Sequence, residues 1–263
     1  MSTINPPRML FFDVFGTVAP WRTSITEELS TAAQQAVNDP RNELPAEVRD
    51  RATAMTIQDW LEVAIEWRRS YSVFTQTFDP STEFLSVDQH HYMALQDLLR
   101  QRGLDGLFTD EKRWDLAFAW HRLTPWIDSS PGLELLNRQF TTATLSNGNV
   151  SLLEDLQKVG SLPFKHLVSA ENFAAYKPSP LVYNGAAKKF GLEPDQCGLV
   201  AAHLGDLKAA RSCGFQTIYV ERELEEGWSK EEAEKAKAEG WVDMWVDSQS
   251  PGFLEVARRF GIE

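Results

Sequence analysis

From Ala143 to the C-terminus, short apolar runs alternate with amphipathic segments, and this alternation restricts the fold more than any other feature of the chain. Strands spaced by helices imply a parallel sheet with helices on both faces, since each return to the same end of the sheet needs a crossover. The expected strands are Ala143-Thr144-Leu145, His166 to Val168, Gly198 to Ala201, Gln216 to Val220 and Met244 to Val246. The expected helices cover Val150 to Val159, Pro180 to Phe190, Leu207 to Cys213 and Phe253 to Phe260. One more apolar run, Met9 to Phe12, belongs to the same sheet but stands far upstream. A structureless loop of roughly a hundred residues has no place in a compact domain. The intervening chain has its own pattern instead, with apolar residues at helical spacing over Thr26 to Ala36, Ile57 to Tyr71 and Gln89 to Leu99. The expected architecture is therefore α/β: a Rossmann-like core of residues 1–19 and 123–263, with an inserted helical cap over residues 20–122.

Composition narrows the function classes. Hydrophobic content of 43% against 24% charged residues is ordinary for a globular protein. No run approaches the ~18 apolar residues of a membrane span. Met1 to Pro7 is short and polar, with no signal segment, and the chain reads as cytoplasmic. The two cysteines, Cys197 and Cys213, are expected in a buried strand and at a buried helix end, too few and too far apart for a zinc site. A formal net charge of −12 argues against a nucleic-acid partner, and an anionic substrate would need local cations and backbone N–H groups for its capture. Leu224 to Gly240, with a capping box at Ser229-Lys230-Glu231-Glu232, reads as a solvated excursion or an oligomer contact, which leaves a homodimer open. Trp21, Trp60, Trp67, Trp114, Trp120 and Trp126 lie in or beside the insert and are expected mainly to fill its core.

The chemistry-bearing residues fall at or just after the expected strand ends, where α/β sheets place their sites. Asp13 ends the first apolar run and turns on Gly16, with Thr17 in reach of its carboxylate. Two residues after Asp13 stands Phe15, which cannot protonate a leaving group, so the leaving group must depart as an anion unaided. Ser146-Asn147-Gly148 offers a hydroxyl, an amide and helix N-terminal N–H groups to an anion. Lys177 would hold Asp13 ionised and stabilise charge in the transition state. Asp206, in His203-Leu204-Gly205-Asp206, can position a water. Ala210 and Arg211, four and five residues after Asp206, supply no second acid, so a magnesium site there is incomplete.

These four segments, in this order, resemble the haloacid dehalogenase superfamily, and with Phe15 its type II 2-haloacid dehalogenases in particular. The resemblance covers nearly the whole chain, through Asp13 to Thr17, Leu145-Ser-Asn-Gly148, Tyr176-Lys-Pro178 with Tyr183, and Asp206 followed by Ala209-Ala210-Arg211. It implies hydrolysis of short (S)-2-haloalkanoic acids without metal or organic cofactor, with Asp13 as nucleophile. It also implies a cap arginine that receives the halide, for which Arg68 in Trp67-Arg68-Arg69-Ser70-Tyr71 fits best and Arg69 is the alternative. Asn147 would share the halide and Ser146 the substrate carboxylate; Asp206, helped by Lys177 and His203, would position the water that attacks the Asp13 ester, and Phe15, Tyr183 and Trp21 would line the pocket. A phosphatase of the same superfamily, or a weakly active binding protein, is the alternative. Three positions depart from the family pattern. Ala201 replaces a serine, His203 an asparagine and Gly205 a pocket-lining tryptophan, a gap that Trp21 is expected to fill.

Overall fold

The computed structural model describes residues 6–263; Met1 to Asn5, which bear on the reading of the N-terminus, lie outside them. The chain opens with β1 (Met9–Phe12) and continues through five helices: α1 (Arg22–Asn38), α2 (Ala46–Ala54), α3 (Ile57–Thr77), α4 (Val87–Gln101) and α5 (Asp110–Ala117). Next come α6 (Ser129–Leu136), β2 (Thr141–Thr144), α7 (Val150–Val159) and α8 (Pro180–Lys189). The last part alternates β3 (Cys197–Ala201), α9 (Leu204–Ser212), β4 (Gln216–Val220), α10 (Lys230–Glu239), β5 (Met244–Val246) and α11 (Gly252–Arg259). Among the described residues no helix is long and apolar enough to cross a membrane.

Two compact units form. The first holds the described residues up to Pro20, Asp79–Phe84 and Thr124–Glu263; the second holds Trp21–Phe78 and Leu85–Leu123. Asp79–Phe84, read from the sequence as part of the insert, joins the first unit, where Phe84 stacks on Tyr176 at 5.1 Å.

The first unit is built on a five-stranded sheet in the order β2-β1-β3-β4-β5, every pair parallel. Alternation along β1 covers both of its faces. Phe11 packs on Phe190 and Phe215, around α8 and α9, while Phe12 packs on Phe164 and on Phe253 of α11. Burial on both faces explains why β1 reads as an unbroken apolar run. Gly132 lets α6 lie close to α11, since a Cβ there would meet Phe253 Cβ at 2.4 Å.

The expected strand at His166 to Val168 does not form. Only isolated bridges join Ala143 to His166 and Ser146 to Ser169. Between them the Thr144 hydroxyl accepts from Val168 N at 2.8 Å and donates to Val168 O at 3.0 Å. A side chain thus takes the place of one rung of the ladder. Cys213 is half-buried rather than buried, and both cysteines are free.

The second unit is helical. Trp60, Trp67 and Trp120 fill its interior, and Trp21 stacks on Trp120 at 5.9 Å. Capping boxes at Thr56 and Ser86 start α3 and α4.

Candidate active site

Asp13 follows β1 directly, at the carboxyl end of an interior strand that pairs with β2 on one side and β3 on the other. Its N–H donates to Val200 O at 3.0 Å, which keeps it in sheet register with β3. Beyond it the chain must reverse, and Gly16 does so at φ +80°. The turn is anchored from elsewhere in the same unit. Trp126 Nε1 donates to Gly16 O at 2.9 Å, Arg222 Nε to Thr17 O at 3.1 Å and Ser129 Oγ to Val18 O at 2.7 Å. Arg222 is held in turn by a buried bidentate pair with Asp128, at 2.7 and 2.8 Å.

Three groups converge on the Asp13 carboxylate. Lys177 Nζ donates to Oδ1 at 2.9 Å, Thr17 Oγ1 donates to Oδ2 at 2.7 Å, and His203 Nδ1 lies 3.0 Å from Oδ2. Burial alone would raise the pKa of this carboxyl. The Lys177 ammonium and then the His203 imidazole outweigh that effect and hold it well below the usual carboxylate range. Lys177 is 8% exposed, and burial works against its charge, yet Asp13 and Asp206 together push it above the ordinary lysine value. The ammonium bridges both carboxylates, with a short contact to Asp206 Oδ2. Asp206 Oδ1 accepts from Tyr183 OH at 2.6 Å, and burial followed by the Asp206 charge raises the Tyr183 phenol, which stays a donor.

Some expected residues take unexpected places. Lys177 follows not a strand but the 3₁₀ turn Ala170–Phe173 and the loop after it. It is fixed there by Asn147, whose amide accepts from Lys177 N at 2.7 Å and donates to Lys177 O at 3.1 Å. Asp206 does not close β3; it sits in the first turn of α9, with His203 as the N-cap residue. Ser146 is fully buried and its Oγ accepts from Gly148 N at 3.1 Å. Phe15 is buried, and its ring lies 3.3 Å from where a Cβ on Gly148 would stand. Gly205 faces an indole after all. Trp228 Nε1 lies 3.6 Å from the Cβ position of Gly205, whereas Trp21 is engaged with Trp120 inside the helical unit. Arg68 belongs to that unit too, half-buried, with its guanidinium 4.4 Å over the Tyr71 ring; Arg69 is exposed. The core unit thus brings together Asp13, Phe15, Thr17, Ser146, Asn147, Lys177, Tyr183, His203, Gly205 and Asp206.

A family model for haloacid dehalogenase-like hydrolases matches residues 7–214, most of the chain and every carboxylate just described. The protein belongs to that family. It is 25% identical over 226 residues to (S)-2-haloacid dehalogenase 1 of Pseudomonas sp. (strain CBS-3), covering 83% of this chain and 86% of that one. With the (S)-2-haloacid dehalogenase of Pseudomonas sp. (strain YL) it shares 29% over 164 residues, 61% of this chain and 70% of the relative. Among solved structures it resembles the L-2-haloacid dehalogenase PA0810, with a TM-score of 0.75 at 28% identity over 97% of this chain and 99% of the other. It also resembles the defluorinating L-2-haloacid dehalogenase Rha0230, with a TM-score of 0.76 at 29% identity over 96% and 94% of the two chains.

Metal-dependent phosphatases of the haloacid dehalogenase superfamily hold magnesium with carboxylates that this chain replaces. The position two after Asp13 holds a buried phenyl ring, Ala210 is buried in α9, and Arg211 pairs with Asp243 at 2.6 Å. Among the described residues no group of three or more His, Cys, Asp and Glu side chains is arranged around a cation position. The donor set does not fit a resident divalent ion.

The reading from the sequence missed Trp126, Ser129, Arg222 and Glu225. Arg222 and Glu225 belong to a run of charges, Arg222-Glu223-Leu224-Glu225-Glu226, that looks like any solvated loop. Both are in fact buried.

Proposed function

We propose that this protein hydrolyses short (S)-2-haloalkanoic acids to 2-hydroxy acids with inversion, through an ester on Asp13. The observation that carries this reading is the pairing of a lysine-held, ionised Asp13 with Phe15. The site has an ionised carboxylate as nucleophile and a phenyl ring where a second carboxylic acid would stand to protonate a leaving group, which suits a halide rather than an alkoxide.

In the first half-reaction an Asp13 carboxylate oxygen attacks C2 of the substrate from behind the halogen. The carbon–halogen bond breaks and the halide leaves with its electron pair. Arg68, from the helical insert, is assigned to the departing halide. Ser146 and the N–H groups that open α7 are assigned to the substrate carboxylate. Asn147 acts differently from the sequence-based expectation: with its carbonyl and an N–H tied to the Lys177 backbone, it serves chiefly to place the lysine. In the second half-reaction water attacks the ester carbon of Asp13, and the 2-hydroxy acid departs. Lys177 stabilises the oxyanion.

The test is halide release from chloro-, bromo- and fluoroacetate and from both 2-chloropropionate enantiomers, with and without EDTA. Turnover of the (S)-enantiomer that survives chelation is expected. A single turnover in heavy-oxygen water should also label the Asp13 side chain. Activity restored only by magnesium, on p-nitrophenyl phosphate rather than on haloacids, would replace this reading by phosphoryl transfer.

A further inference from the structure

Asp13 and its partners occupy the carboxyl ends of β1 and β3, but the sheet continues through β4 and β5, and a second crevice opens there. It is a cavity of about 830 Å³ within the first unit, a size that suits small organic ligands. Tyr219 of β4 and Trp245 of β5 both line it, with ring centroids 4.4 Å apart. Trp126 and Trp228 line it from loops. Indole and phenol rings turn a negative π face to a cation, and three of these four already hold one. The Arg222 guanidinium lies 5.2 Å over Trp126, Lys208 Nζ 5.5 Å over Trp228, and Lys237 Nζ 5.2 Å over Trp245.

The field in the cavity has the matching sign. Glu221, Glu223, Glu226 and Glu234 line it against two lysines, Lys230 and Lys237. The remaining cation of the wall, Arg222, is matched by its bidentate pair with Asp128. Two of the glutamates are fixed by backbone N–H groups. Ser248 N donates to Glu221 Oε2 at 3.2 Å, and Leu204 N and Trp228 N donate to the two oxygens of Glu226 at 2.9 Å each. Burial first, and then the charges of Glu226 and Glu221, raise the Tyr219 phenol above its ordinary value, which puts a negative potential at that ring. The cations over the rings differ in how firmly they are held. Arg222 is locked between Trp126 and Phe253, whereas Lys237 is exposed on α10 and can return its ammonium to water at little cost.

We propose that this cavity is a second ligand site, which binds a small organic cation, an amine or quaternary ammonium with an apolar body, whose charged head takes the place of Lys237 over Trp245. The glutamates supply the long-range attraction and the rings the contact. An anion of the same shape is repelled by four carboxylates, and a neutral molecule gains nothing from the π faces beyond its apolar area. The site is distinct from the one that holds Asp13 and goes beyond the reaction assigned to it. The two nevertheless share a wall: Trp126 Nε1 donates to Gly16 O and Arg222 Nε to Thr17 O, so the cavity backs onto the nucleophile turn.

The experiment titrates the full chain with benzyltrimethylammonium and with benzyl alcohol, by isothermal titration calorimetry at constant ionic strength. The cation should bind about tenfold more tightly than the alcohol. Trp245→Leu should remove most of that difference, and Glu234→Gln should weaken the cation by about two- to threefold. Lys237→Gln removes the competing ammonium and should instead tighten binding, by about two- to fivefold. Lys235→Gln takes the same charge from α10 outside the cavity and should leave the affinity near that of the parent. Glu234, Lys235 and Lys237 are all exposed, so these variants decide the matter if Trp245→Leu does not fold. Equal affinity for cation and alcohol, no binding of the cation, or equal tightening in Lys235→Gln and Lys237→Gln would overturn the proposal. A cation whose affinity ignores both Lys237→Gln and Glu234→Gln binds elsewhere, and that result would overturn it too.

Discussion

The hydroxyl of Thr17 donates to Asp13 Oδ2 at 2.7 Å and accepts from Ala202 N at 2.9 Å, in a position with no solvent exposure. It ties the nucleophile to the end of β3 as well as orienting it. Thr17→Val keeps the shape and removes both bonds, stranding a buried backbone N–H. Urea unfolding should show a loss of about 1–3 kcal/mol, the cost of an unsatisfied buried donor, whereas Thr17→Ser should lose far less. A Thr17→Val protein as stable as the parent would mean that Ala202 N finds another acceptor. The Asp13 carboxyl itself lies well below the usual range, so the nucleophile stays ionised wherever the protein is folded, and any acid limb of activity belongs to another group.

At the scale of elements, α3 and α4 carry a device that responds to pH. His90 stacks on Phe74 with ring centroids 4.4 Å apart, and its Nε2 lies 3.3 Å from Ser70 Oγ. Burial pushes its imidazole down to about 4. A neutral ring is favoured in the fold, so the folded state binds this proton less readily than the unfolded chain, whose histidine titrates near 6.5. The stability is complete above that value and is lost as pH falls through about 4. The midpoint of thermal unfolding should therefore decline between pH 7 and pH 4.5, and His90→Phe should flatten the decline. Buried His91, also pushed well below its ordinary value by burial, keeps part of the slope. An identical slope in His90→Phe would assign the effect elsewhere.

For the molecule as a whole, 26 Lys and Arg against 38 Asp and Glu give a net charge of −12, and the proposed substrate is an anion. Its approach is opposed by the global field and favoured only close to the site. Screening weakens the long-range part first, because the Debye length shortens from about 30 Å at 0.01 M to about 8 Å at 0.15 M salt. Over that range kcat/KM for haloacids should rise by a small factor, about two- to fivefold, while kcat stays level. A falling kcat/KM would show that local cations already dominate at a distance.

The sequence by itself determined the parallel sheet and the carboxylate at its mouth. Two-sided burial makes β1 an unbroken apolar run, and a strand-end Asp before Gly16 can hardly be placed elsewhere. Helices with a clear apolar stripe, such as α3, α7 and α11, were legible for the same reason. Helices α2 and α5 were not, because each buries only two residues, Val48 with Ala52 and Leu116 with Ala117. Pro131-Gly132 hid α6, although a proline in a first turn lacks only an N–H that has no helical acceptor there. Periodicity reports whether a residue is buried, not which distant group it meets. Only the tertiary structure decided that Lys177 bridges carboxylates 164 and 29 residues away, that Asn147 clamps that lysine, that Trp228 stands beside Gly205, and that Glu225 lies buried behind His203. Those pairings depend on where loops return over the end of the sheet, and a charged loop looks the same in sequence whether it returns inward or out to water.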